Sequence, residues 1–481
     1  MPFVGWTHYL EVACRIGRWR LHRWFYTDFI VVKKNIRIAS GQGFWGDMPA
    51  APLNQVKNGP IDYLVLDYLA EVTMSIMQKQ RGRNHLHGYA LDFPPVVESV
   101  LDAIVQNGVK IVTNAGGVNP HACKDDVLRR ASKAGHSIKV AVVDGDDIMD
   151  EIRRLIESGH QMKNMDTGES LTSIVDEILS ANVYFGARPI VEALKSGADV
   201  VITGRVTDTG LTLGPMIHEF GWSFDDFDKM AAGTIAGHII ECGAQCSGGN
   251  FTDWSRVPDM ENIGFPIIEA YPDGTFVVTK HEGTGGCVDV MTVSEQLLYE
   301  IGDPSSYITP DCVADFTSIH IEQQDTDRVF VHGIKGMSAT DSYKVSISYK
   351  DGFKLTSTLV YVWPDALLKA ERAGQILKSR AQTLGITFDK YRVEMVGFNS
   401  CNESLDDRSP EYNEVQLRVS ATSASESDLN RFGREVAPLI LTGPSGVTGF
   451  AGGRPKASEI VAYWPALLSK TAVEPRVSIF P

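Results

Sequence analysis

The sequence predicts an α/β fold: a doubly wound, mostly parallel sheet followed by a second α+β domain. Three observations point there. From residue 36 to about 300, short β-branched runs alternate with helix-patterned stretches, as they do in βα units around a parallel sheet. Polar, glycine-rich stretches follow four of those runs, and ligands of open α/β sheets sit beyond the carboxyl ends of the strands. Past residue 264 the β-patterned runs grow longer and alternate apolar with polar residues, which fits antiparallel strands with one solvated face.

The candidate strands of the first part are 36–40, 62–66, 110–114, 138–144 and 199–204. Helices are expected over 67–80, 94–107, 121–134 and 187–196, where apolar residues recur at helical spacing. "FPIIEAYPDGTFVVTKH" reads as a hairpin turning at Asp273-Gly274. "TSIHIEQ", "DRVFVHGI", "YKVSISY", "KLTSTLVYVW" and "EVQLRVSAT" read as further strands, with helices over 364–384 and 427–441. The expected division is a basic N-terminal extension (1–35), an α/β domain carrying the site (36–304) and an α+β domain (305–481).

Composition narrows the function. A chain of 481 residues, 43% hydrophobic, can bury the cores of two or three domains. Its net charge of −15 argues against nucleic acid or an anionic membrane as partner. No apolar run approaches the roughly 18 residues that a membrane helix needs. Seven Cys at irregular spacings (14, 123, 242, 246, 287, 312, 401) make no disulfide framework and fit a reducing compartment. Residues 1–35 hold four Arg and two Lys against Glu11 and Asp28. The expected location is therefore the cytoplasm, with the mitochondrion as the alternative if this basic stretch is a transit peptide.

"IRIASGQGFWGD" sets Gly41, Gly43 and Gly46 after a β-like run, and Asp67 ends the next apolar run. That is the outline of a dinucleotide turn with its ribose-binding acid. Pro49 and Pro52 leave little room for the helix that a pyrophosphate needs, and Phe44 and Trp45 crowd the turn. NAD(H) and NADP(H) are therefore not expected to bind, and no cofactor is expected.

Other stretches offer a better site. In "TNAGGVNP", Asn114 and Asn119 can fix a carbonyl or hydroxyl beside two glycines. Arg205 in "VITGRVTDTG" ends a strand beside a helix start, where its fork suits a carboxylate or phosphate; the alternative is a brace to Asp208. In "AGHIIECGAQCSGGNF", His238, Glu241, Cys242 and Gln245 share one helical face. His238 and Glu241 are candidates for proton transfer. The set lacks a paired Cys-x-x-Cys, so no metal is expected. In "TKHEGTGGCV", Lys280 precedes a turn through Gly283, Thr284 and Gly285 whose amides could cradle an anion.

These motifs in this order resemble the acyclic terpene utilisation family, AtuA. The resemblance rests on "GFWGD", "LDYLAE", "NAGGVNP", "DGDD", "ANVYFGA", "GADVVITGRVTDTGL", "GHIIECGAQCSGGNF" and "TKHEGTGG". It implies a role in the breakdown of acyclic terpenoids, which passes through branched acyl-CoA thioesters. The residues then suggest the reaction class. Arg205, Lys280, Gly283, Thr284 and Gly285 would bind an anionic substrate, and Asn114, Asn119 and Asn250 its carbonyl or hydroxyl. His238, Glu241 and Asp208 would move protons. The expected activity is that of a lyase, hydrating, dehydrating or cleaving a branched hydroxyacid or its acyl-CoA ester. The alternative is a non-catalytic subunit that binds an acyl-CoA. Expected partners are the small-molecule substrate and further copies of the chain, with a small accessory subunit as a further option.

Overall fold

A computed structural model of the chain describes residues 35–402, 411–449 and 453–481. The basic N-terminal extension, but for its last residue, lies outside the described residues. The chain begins with β1 (Ile36–Gln42), α1 (Ala51–Lys57), β2 (Tyr63–Leu66), α2 (Glu71–Arg83), α3 (Phe93–Asn107), β3 (Lys110–Thr113), α4 (Pro120–Lys133) and β4 (Val140–Asp144). It continues through α5 (Ile152–Glu157), β5 (Ile178–Val183), α6 (Arg188–Lys195), β6 (Val200–Thr203), α7 (Gly210–Phe220) and α8 (Phe227–Ile240).

The five strands expected from the sequence are β1, β2, β3, β4 and β6. They lie side by side in the order β1-β2-β3-β6-β4, and every neighbouring pair is parallel. Their side chains alternate between two cores. Ala39, Leu64, Ile111, Val140 and Ile202 pack with α2, α3 and α4 on one face. Ile38, Val65, Val112, Val143 and Val201 pack with α6, α7 and α8 on the other. Burial on both faces is why these strands read as nearly continuous apolar runs. Local chemistry sets the helix ends. Pro follows the cap of α3, α4 and α6, Asn119 and Asp226 accept backbone amides at the starts of α4 and α8, and Gly108 ends α3 in the left-handed region.

The hairpin at Asp273-Gly274 is present as β7 (Ile267–Ala270) and β8 (Phe276–Thr279). Then come α9 (Val290–Leu298), β9 (Tyr307–Ile308), β10 (Val313–Asp315), β11 (His320–Asp325), β12 (Arg328–His332) and β13 (Lys335–Met337). β7, β8, β12 and β11 extend the parallel block antiparallel beyond β1. The remaining elements are β14 (Ser342–Val362), α10 (Ala366–Thr383), β15 (Lys390–Val396), β16 (Glu414–Ser423), α11 (Glu426–Gly433), α12 (Leu439–Thr442), β17 (Val447–Thr448), β18 (Ser458–Ser469) and β19 (Arg476–Phe480).

"YKVSISY" and "KLTSTLVYVW", expected as two strands, are one 21-residue strand, β14. It passes its break at Gly352, which has φ +74, and its pairing with β18 shifts register between Lys350 and Phe353. A glycine in the left-handed region lets a strand bend without ending it. β14 carries the second sheet, pairing with β16, β17, β18 and also with β5. β19 returns to the first sheet and closes its β4 edge antiparallel. The chain on either side of residue 305 therefore contributes strands to both sheets.

Candidate functional site at the strand ends

The connection after β3 leads to α4 on one face of the sheet, and the connection after its neighbour β6 leads to α7 on the other. Loops that part in this way open a crevice at the carboxyl ends, where open α/β sheets hold their ligands. The loops 41–47, 114–120, 144–147 and 204–208 follow the parallel strands β1, β3, β4 and β6, so all four lie along this one edge.

Asp67 follows β2 into the crevice. Asn114 Nδ2 donates to its Oδ1 at 2.7 Å, and the Leu69 amide donates to the same oxygen at 3.1 Å. Asn114 Oδ1 in turn accepts the Tyr68 amide at 2.7 Å. Asn114 thus positions Asp67, with both ends of its amide engaged by the protein. Burial, then repulsion by Asp208, pushes the Asp67 carboxyl well above the usual carboxylate range, against the pull of Arg205 and Asn114.

Arg205 is almost fully buried, at 2% exposure. Its Nη1 donates to Leu69 O at 2.9 Å and to Asp208 Oδ1 at 2.7 Å, and Nη2 donates to Tyr184 Oη at 3.0 Å. The guanidinium lies 4.2 Å from the centre of the Tyr184 ring. The brace to Asp208, one of the two roles open at the sequence level, is present. Both terminal nitrogens hold partners within the protein, and Nε, buried, has none. Asp208 keeps 32% of its side-chain surface. Burial raises its carboxyl too, against Arg205, but water screens it more than it screens Asp67.

His238 and Glu241 meet at the end of α8. Nδ1 of His238 lies 2.8 Å from Glu241 Oε1, and Nε2 lies 3.0 Å from the carbonyl oxygen of Gln296. A carbonyl only accepts, so Nε2 carries a proton, and Nδ1 and the carboxyl can share one more. Tyr307 and Phe316 wall the imidazole, with ring centres 5.7 and 5.3 Å away. Burial alone would pull His238 down, but the charge and hydrogen bond of Glu241 outweigh it and its pKa is raised. Burial raises the Glu241 carboxyl, His238 opposes it, and Asp208 adds to it. Asp67, Asp208 and Glu241 therefore feel one another around a single guanidinium and a single imidazole.

The structure gives the other expected residues other surroundings. Asn119 caps α4 and donates to the carbonyls of His85 and His87 at 2.9 and 2.8 Å. It also lines a cleft of about 240 Å³ with Arg81, His121, Asp144, Asp146 and Arg476. Asp146 joins that cleft to Arg205, whose amide it accepts at 2.8 Å, and burial raises its carboxyl to about 7. Asn250 is exposed at φ +55, where Asn suits the turn conformation. Lys280 is engaged with Asp327 at 3.0 Å and Thr284 O at 2.8 Å. Thr284 Oγ1 donates to His281 O. The amides of Gly285 and Gly286 donate to Asn262 O and Pro258 O, and Gly283 turns at φ +74. The turn at 283–286 therefore knits backbone to backbone, and its Gly285 and Gly286 amides are not free for an anion.

The GQGFWG turn also has another explanation. A Cβ on Gly43 would come within 2.7 Å of the backbone at Cys242 and Gly243. That glycine admits the end of α8 to the crevice. Asp67 and Glu71 fall in "LDYLAE" and Tyr184 in "ANVYFGA", but nothing in the sequence assigns them to this site, and Lys344 stands in no motif. Tyr184 Oη donates to Glu71 Oε1 at 3.1 Å, and Lys344 Nζ lies 3.6 Å from the same oxygen. Lys344 belongs to the second sheet, and only the fold brings it here. Among the described residues, no group of three or more His, Cys, Asp and Glu is placed to hold a metal ion, the six cysteines are free, and no helix is long and apolar enough to cross a membrane.

A doubly wound α/β protein with a buried acid–base cluster at its strand ends is the class that fold and site define. Residues 36–479 match the model of the acyclic terpene utilisation family protein AtuA. The chain belongs to that family, so its setting is acyclic terpene utilisation. No curated protein and no solved structure matches it.

Proposed function

We propose that the protein is a lyase of acyclic terpenoid or related branched-chain acid breakdown, adding or removing water, or cleaving a carbon–carbon bond, at a branched hydroxyacid or its acyl-CoA ester. The observation that carries this reading is the His238–Glu241 pair, with Nδ1 and Oε1 2.8 Å apart and so placed to take up and share a proton, in the same crevice as two further raised carboxyls. Glu241, at 14% exposure against 2% for His238, is the member open to a substrate, with His238 behind it, and such a pair removes a proton beside a carbonyl when its environment tunes it. The rest of a substrate would extend to the cleft lined by Asp146, whose carboxyl accepts the Arg205 amide.

Arg205 has an internal task. It holds Asp208 and Tyr184 in place and balances the carboxyls, while the substrate's own charge lies outside the buried cluster. Exposed cations there include Lys344, beside Tyr184, and Arg81 and Arg476 of the cleft.

Mass spectrometry of purified protein with branched acyl-CoAs and branched hydroxyacids tests the reading. Turnover of at least one compound is expected. His238→Asn or Glu241→Gln should lower that turnover about 100-fold or more with little change in affinity. Tight binding of an acyl-CoA with no turnover of any compound would instead favour the non-catalytic subunit.

A further inference from the structure

A dehydration needs an acid as well as a base, and the His238–Glu241 pair is only the base. We propose that Asp67 is the acid: its Oδ2 protonates the hydroxyl oxygen that leaves the substrate, while the His238–Glu241 pair takes the proton from the adjacent carbon. This rests on the lyase reading and gives it its second catalytic residue.

The geometry separates the two oxygens of Asp67. Oδ1 accepts from Asn114 Nδ2 and from the Leu69 amide. Oδ2 takes no hydrogen bond from the described residues. Two donors on Oδ1 hold it as the carbonyl oxygen, which leaves the proton to Oδ2. Asn114 is itself locked by the Tyr68 amide, so the carboxyl plane is fixed. Arg205 Nη1 grips Leu69 O, on the residue whose amide holds Asp67, and grips Asp208 as well. The acid stands in the connection after β2, and the brace holds that connection in place. Its charged neighbours are Asp208 and Glu241, which disfavour its ionisation, and Arg205, which favours it. Burial adds to the first two, and together they favour the protonated carboxyl against the pull of Arg205.

The step balances. In the direction of elimination, the C–H bond breaks first and its electrons move onto the substrate carbonyl as an enolate, which then forms the carbon–carbon double bond. The C–O bond breaks, and the oxygen leaves as water with the proton from Asp67. The proton taken from carbon goes to the His238–Glu241 pair and from there to solvent, and solvent returns one to Asp67. Hydration is the same path reversed.

The test uses the full chain in D2O with branched 3-hydroxyacyl-CoA thioesters and the free 3-hydroxyacids. Deuterium entering the carbon beside the carbonyl reports the base, and loss of water reports the acid. Asp67→Asn should lower dehydration about 100-fold or more and keep deuterium exchange, whereas Glu241→Gln should lose both. Asn114→Ser, which releases Oδ1, should lower dehydration more than exchange and serves if Asp67→Asn does not fold. Dehydration at the parent rate in Asp67→Asn, or equal loss of dehydration and exchange, overturns the proposal. A second readout does not need turnover. The parent at neutral pH should show an infrared carboxylic-acid band that Asp67→Asn lacks, and its absence overturns the assignment of the acid alone. A parent that neither exchanges nor dehydrates any of these compounds removes the lyase reading, and the acid role with it.

Discussion

At the scale of single residues, Arg205 shows how burial decides what a charge can do. In sequence, a guanidinium at a strand end beside a helix start looks like an anion anchor. In the fold it is 2% exposed and holds Leu69 O, Asp208 and Tyr184. Removing it would leave Asp208 without its buried cation, and breaking such a pair from one side costs about 3–5 kcal/mol. Arg205→Ala should therefore cost about 3 kcal/mol, at the low end of that range, because Asp208 is 32% exposed. Arg205→Lys keeps the charge but loses the fork that spans Leu69 O and Tyr184 Oη, so it should fall between Ala and the parent. Urea unfolding of the three proteins measures this, and an Ala variant as stable as the parent would show that the guanidinium is no brace. Asp67 teaches the converse. Its place at a strand end was plain in "LDYLAE", but its two donors, Asn114 and Leu69, come together only in the folded chain.

At the scale of elements, the parallel block was legible because its strands are buried on both faces and its helices carry their stops and starts locally, as at Asn119 and Gly108. β5, β18 and β19 were not. β18 contains Pro465, which has no ladder donor, and β5 finds its partner in β14, far along the chain. Nothing local marks such pairings. The position of His238 depends on a close approach of the same non-local kind. A Cβ on Gly237 would lie 2.6 Å from Thr209 Cα and O, where α8 crosses the start of α7. Gly237→Ala must push α8 outward and carry His238 and Glu241 with it. Overpacking of this sort costs about 1–3 kcal/mol. The variant should melt lower and, with substrate, lose more turnover than its stability loss explains, because the displaced groups are those that move the proton. Unchanged melting and turnover would mean that the helices part there without strain. Gly214 and Gly233, whose added Cβ atoms would come within 3.0 Å only of the side chains of Ile190 and Leu213, provide a milder comparison.

At the scale of the molecule, the two larger of the three sheets are laced together. β11 and β12 complete one end of the first sheet and β19 the other, all from beyond residue 305, while β5, from before it, pairs with β14 in the second. The core on the α6–α8 face reflects this, since Val345, Ile347, Trp464 and Leu468 pack in one cluster with Val183, Leu211 and Ile235. A fragment of residues 36–304 would lose the strands at both ends of its sheet and leave β5 without its partner. Backbone groups would be unpaired along β8, β4 and β5, and the apolar side of β5 would face water. The fragment should therefore fail to fold as a soluble monomer, and the full chain should unfold with one main calorimetric transition and not two. The site argues the same way: Lys344 reaches Glu71 and Tyr184 from β14, so whatever loosens the second sheet should also loosen the crevice. If the 36–304 fragment were instead soluble, cooperative on heating and protected in hydrogen exchange along β4 and β5, the division near residue 305 would mark two independent domains, and the shared strands would be an embellishment of a fold already complete without them.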